Sequence, residues 1–168
     1  PEPDGEERNP YYETIIFEAG GDVTNAERQT LSVVRYHQVV RRKSNDEVFH
    51  DQVGYWLWEP AVGRLYHTLT IPRGQAALAG GHAKPDDRQF TLRASRGDTA
   101  FGIVSNPFLE RSFRTDSFEI TVTITDDDHW SYDETTVLQI TGQDEPFLHT
   151  DRNNLVRVGP PKLNPAIA

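Results

Sequence analysis

From Ser117 to Thr125 the chain places Phe118, Ile120, Val122 and Ile124 on one face and Glu119, Thr121 and Thr123 on the other. Trp130 to Ile140 alternates in the same way. Such a period of two fits a strand with one buried face and no helix, because successive side chains in a strand point to opposite sides. No segment of twelve or more residues keeps apolar residues at i, i+3, i+4 and i+7, so the predicted class is all-β. Strands are predicted over Tyr11 to Glu18, Arg28 to Lys43, Val48 to Trp58, Arg64 to Ile71, Gln75 to His82, Gln89 to Ser95, Thr99 to Val104, Ser117 to Thr125, Trp130 to Ile140 and Thr150 to Val158. Gly20-Gly21-Asp22 is expected to end the first of them. Ser105-Asn106-Pro107 can cap one turn of helix through Phe113.

About ten antiparallel strands joined by short turns give a sandwich or an up-and-down barrel. The length of the strands and the absence of a sandwich signature favour the barrel. A barrel of more than about eight strands has an interior too wide for its own side chains, so a ligand cavity is expected. The barrel is assigned to 11–158, after an extended lead-in over 1–10 and before a proline-rich, frayed tail over 159–168.

Acidic residues outnumber basic ones, 26 to 17, and the net charge is -9. Such a surface repels phosphate backbones and anionic lipid, so neither nucleic acid nor membrane is an expected partner. No run approaches about 18 apolar residues and no signal-peptide core is present, which predicts a cytoplasmic protein. Pairing of two copies stays open. The chain lacks cysteine, which removes thiolate chemistry, and also methionine, even at position 1, so native sequence is expected to precede Pro1.

No nucleophile elbow, P-loop, dinucleotide fingerprint or HExxH is present, and most carboxylates read as solvated surface. The chemistry-bearing candidates are the six histidines. None forms an i, i+2 or i, i+4 pair, which argues against a local zinc site. His67 alternates in phase with Leu65, Leu69 and Ile71, and His50 with Trp56 and Trp58. Trp56, His67, Leu69 and Ile71 are therefore expected to line the interior, whereas His82 and His129 belong to the surface. One histidine on an apolar ribbon is usually a satisfied core residue; several converging on one cavity would mean more.

The segments YYETIIFE, YHQVVRRKSNDEVFHDQVGYW, TLTIPRG, WSY and EPFLHTDRNNLVRV, in that order from Tyr11 to Val158, resemble the nitrobindin-type heme-binding barrels, whose shape is that of fatty-acid-binding proteins and lipocalins. The resemblance implies heme b held by a histidine near the start of the last strand, with a second histidine over the ring. His50 matches the second. At the ligating position an ungapped alignment puts Thr150, and His149 is one residue early. A one-residue offset reverses the face, so His149 as the metal ligand is expected to need a bulge between Phe147 and Asp151. The implied activity is reaction with nitric oxide or isomerisation of peroxynitrite. Two other readings stay open: a heme-free carrier of a fatty acid or other small amphiphile, with Arg73 or Arg157 meeting its carboxylate, and a barrel filled by Trp56, Trp58, Phe118 and Tyr132 that acts through its surface.

Overall fold

The computed structural model describes residues 9–165; most of the expected lead-in and the last three residues lie outside that range. Eleven strands and one short helix follow in sequence: β1 (Tyr11–Ala26), β2 (Gln29–Arg42), β3 (Val48–Glu59), β4 (Arg64–Ile71), β5 (Gln75–His82), β6 (Gln89–Arg96), β7 (Gly102–Ser105), α1 (Pro107–Ser112), β8 (Phe113–Ile124), β9 (His129–Ile140), β10 (Phe147–Val156) and β11 (Lys162–Leu163). All strands join one curled sheet, ordered β10-β9-β8-β6-β7-β5-β4-β3-β2-β1-β11. Nearly every neighbour in space is a neighbour in sequence, as in a meander. The sheet is mixed rather than wholly antiparallel, because β6 meets β7 and β1 meets β11 in parallel.

Alternation decides which face is buried. Leu92, Ala94, Phe118, Ile120, Val122 and Tyr132 all point inward and form one core with Leu69, Ala79 and Ile103. Two expectations about strand ends are corrected. β1 runs on past Gly20-Gly21 to Ala26, because register shifts after Ala19 and after Val23, with Gly21 at φ +68°, absorb the break. The tail is not simply frayed either: Lys162 and Leu163 lie beside Glu18 and Ala19 of β1. Among the described residues no helix is long and apolar enough to cross a membrane.

The helix forms where its cap lies. Asn106 accepts hydrogen bonds from the backbone N–H groups of Phe108 and Leu109 at 2.9 and 3.1 Å, and Pro107 opens the first turn. The Asn106 amide also donates to the Arg73 carbonyl at 2.6 Å, which ties α1 to the β4–β5 turn. Asn106→Ala is expected to cost about 1–2 kcal/mol, or a fall in Tm of about 2–8 °C for a chain of this size. An unchanged thermal melt would show that the cap does not hold this corner.

Candidate functional site

The barrel interior is polar at its centre. Tyr36 and Gln38 reach in from β2, and Gln52 from β3. His67 comes from β4, Glu13 from β1, and Tyr132 with Glu134 from β9. The Gln52 amide donates to the Tyr36 hydroxyl at 2.7 Å and to Gln38 Oε1 at 3.3 Å. Its oxygen is thereby left to His50, whose Nε2 lies 3.2 Å away. The nitrogen of His50 that faces Gln52 must then carry a proton, since an amide oxygen only accepts.

His67 is 2% exposed and stacks on Trp56 with ring centres 3.9 Å apart and an 8° angle between planes. Its Nε2 lies 2.8 Å from the Tyr36 hydroxyl, and its Nδ1 has no hydrogen-bond partner among the described residues. Tyr36 also donates to the Thr68 carbonyl at 3.3 Å. If Tyr36 donates there, His67 donates through Nε2–H and only a lone pair on Nδ1 stays unmatched. The opposite tautomer would bury an orphaned N–H. With no carboxylate beside it, burial alone holds the imidazole pKa down to about 3, so His67 is neutral.

A second cluster sits where β1 faces β9 and β10. Glu13 accepts from Gln38 at 2.6 Å, and from Tyr132 and Asn153 at 3.2 Å each. Tyr11 meets the Tyr132 hydroxyl at 3.1 Å, and burial pushes its pKa up to about 12. Among the described residues the Glu134 carboxyl has no hydrogen-bonding partner; burial first, then the charges of Asp151 and Glu13, raise its pKa to about 8. Glu13 is raised for the same leading reason.

Between the two clusters lies a chamber of about 20 Å³ lined by Ile15, Phe17, Tyr36, Gln38, Gln52, Trp56, His67, Ile120, Trp130, Tyr132 and Glu134. That is room for a single water. The roomy cavity expected from strand number is therefore absent at the centre, because aromatic and long polar side chains fill it. A fatty acid has no space there. Arg73 lies on the exposed β4–β5 turn, and Arg157 reaches the Asp127 carbonyl and the Asp128 carboxylate outside the barrel, so neither arginine can meet an interior carboxylate. Trp58 does not enter the core either. It lines an open groove of about 330 Å³, with Val34 and Leu65, at the end away from α1.

His149 departs from its expectation in an instructive way. β10 pairs with β9 in unbroken register from Phe147 to Val156, with no bulge. Phe147, His149, Asp151, Asn153 and Leu155 form the less exposed face, while Thr150 is exposed. The regular strand thus already presents His149 inward; the ungapped alignment, not the strand, misplaced the face. The His149 side chain is 42% exposed, its Nε2 lies 2.9 Å from Asp151 Oδ2, and its ring stacks on Phe147. Gln75, at the end of the β4–β5 turn, donates to Thr115 at 2.7 Å, which puts Ile71 and the first residues of β3 at the α1 end of the barrel. His50 and His149 therefore share that end and the inner face, three strands apart across the β1–β10 junction. Ile71 is half-buried there.

The donor set fits a heme: an imidazole near the barrel opening, on a wall with Phe147, in a chain that offers no thiolate or thioether. The 20 Å³ chamber does not fit one, so the group would occupy the opening at the α1 end.

A single curled sheet with a half-exposed histidine inside its opening defines a small ligand-binding β-barrel. The chain belongs to the family of THAP4-like heme-binding β-barrel domains, whose pattern matches residues 2–157. The resemblance to nitrobindin-type barrels is borne out at this level. No curated sequence matches the chain. Its fold is similar to the crystal structure of Rv2717c from M. tuberculosis, with a TM-score of 0.56 and 17% identity over 88% of this chain and 91% of that one.

The polar centre formed by Glu13, Gln38, Gln52 and Glu134 was missed in the sequence. The available signal was phase: each of the four sits in step with inward apolar residues, such as Glu134 with Tyr132 and Leu138.

Proposed function

We propose that this chain binds heme b at the α1 end of the barrel, with His149 as the axial ligand and His50 on the distal side. The observation that carries the reading is His149: a histidine on the inner face of β10, half open to solvent and backed by Phe147. His149 Nε2–H donates to the Asp151 carboxylate, which fixes the ring's orientation in the way outer carboxylates orient ligating histidines and leaves Nδ1 to meet the iron. A bound heme would supply an iron centre for nitric oxide or peroxynitrite, which the family resemblance makes the reactants. The chain itself contributes a distal imidazole whose Nε2–H is already committed to Gln52. In its neutral form His50 thus offers incoming molecules a lone pair rather than a proton.

Hemin titration of the purified protein tests this. A Soret band is expected to develop and to be lost in His149→Ala, while His50→Ala keeps the band and changes the rate with nitric oxide or peroxynitrite. Equal hemin affinity in His149→Ala would remove the assignment.

A further inference from the structure

A chamber with room for one water cannot admit a larger molecule unless a wall moves. Every neighbouring pair of strands in the sheet order is joined by a backbone ladder, but among the described residues none joins β1 to β10. That junction is bridged by side chains: the Tyr11 hydroxyl to Tyr132 and to the Arg152 carbonyl, and Glu13 to Tyr132 and Asn153. Phe17 meets Trp130 across the same line with ring centres 6.3 Å apart. Behind it stand Glu13, Glu134 and Asp151, three acidic side chains with no lysine or arginine paired to them among the described residues, Asp151 meeting only the His149 ring. The chamber lies directly behind, since Ile15 and Phe17 from one edge and Trp130, Tyr132 and Glu134 from beside the other line it.

After β10 the chain crosses the junction and returns as β11, two residues parallel to β1 at Glu18 and Ala19, followed by the Asn164 N–H donating to the Ala19 carbonyl at 3.1 Å. Leu163 is 70% exposed, so backbone bonds rather than packing hold β11 down.

We propose that the β1–β10 junction is a lateral gate that opens the chamber and the α1-end site to an entering ligand, and that β11 is its latch. The proposal rests on the binding reading above only for the identity of what enters. Opening here breaks four side-chain hydrogen bonds and the two-residue pairing of β11, and spares every other ladder of the sheet.

The chain lacks cysteine, so a pair of thiols can be placed without interference. Tyr12 and Arg152 are exposed on the outer faces flanking the junction. The double variant Tyr12→Cys, Arg152→Cys, joined by a short bis-maleimide, is compared with the same protein capped singly at each thiol. Amide hydrogen exchange of β11, whose pairing with β1 must release on opening, reads opening without any ligand, and the rate of Soret growth with hemin reads entry. Cross-linking is expected to slow both by at least about tenfold, and Asn164→Pro, which deletes the latch donor, to speed both. Exchange unchanged by the cross-link would overturn the gate, as would slowed exchange with an unchanged hemin rate. Slowed exchange together with hemin bound by neither form would leave the opening established and sink the heme reading instead.

Discussion

Gly54→Ala is expected to be among the most damaging single changes in the barrel. A Cβ built on Gly54 would lie 1.9 Å from the Thr68 carbonyl oxygen, 2.8 Å from its carbon and 3.1 Å from the Tyr36 ring. The obstacle is the backbone of the adjacent strand, which cannot rotate away as a side chain could. β3 would have to part from β4, and with that shift goes the register from Val53 to Glu59 that positions Trp56 against His67. The Tyr36 bond to Thr68 and the bonds from Gln52 and His67 to the same hydroxyl depend on the same approach. Steric insertion into a packed interior plus a broken buried network costs about 3 kcal/mol or more, or a drop of roughly 6–12 °C in Tm for a domain of this size. A variant that melts within about a degree of the parent would show that this strand spacing is not needed.

Glu134→Gln should stabilise the protein, and by an amount that grows with pH. The folded pKa of Glu134 is raised to about 8 from 4.5, chiefly by burial. A group raised in the folded state contributes its stability below the unfolded pKa and loses it as pH climbs to the folded one. Between about pH 4.5 and 8 the parent therefore pays for keeping Glu134 inside, either by holding a proton that the unfolded chain releases or, above that window, by burying a charge beside Glu13 and Asp151. Glutamine has the same shape and no charge. The gap in stability is expected to be near zero at pH 4.5, to widen through neutrality and to level off above pH 8 at about 2–4 kcal/mol. Thermal melts of both proteins from pH 4.5 to 9 check it. A gap independent of pH would mean that Glu134 titrates as an ordinary surface carboxylate.

Hairpins with strong alternation were legible from sequence down to the residue. Arg64 to Ile71 and Gln75 to His82 have the predicted bounds, and α1 begins at the predicted cap. Local signals set these features: period two, turn glycines, an asparagine before a proline. What stayed hidden depends on which strands face each other across the barrel. Gln38, Gln52 and Tyr36 are ordinary strand residues until β2, β3 and β4 curl together, and then one amide connects two histidines. Glycine read as a stop at Gly20-Gly21 proved to be a bend, because a bulge costs a strand less than an end does. The face of His149 followed from a resemblance counted residue by residue, where the strand's own alternation through Phe147, Asp151 and Leu155 would have given the inward face directly.

The Tyr11 hydroxyl and the Arg152 carbonyl are 141 residues apart along the chain, while the strands between them meet mostly through short hairpins. Local pairs form at small loop-closure cost, whereas joining the two extremes requires the whole meander to be in place first. The order of assembly is therefore written into the topology: the ring can close only after its arc is built, and β10, which supplies Asn153 to Glu13, is among the last strands to leave the ribosome. A partly synthesised chain exposes the inner surface of an unclosed arc, with Glu13 and Tyr11 still waiting for partners from the other end of the molecule.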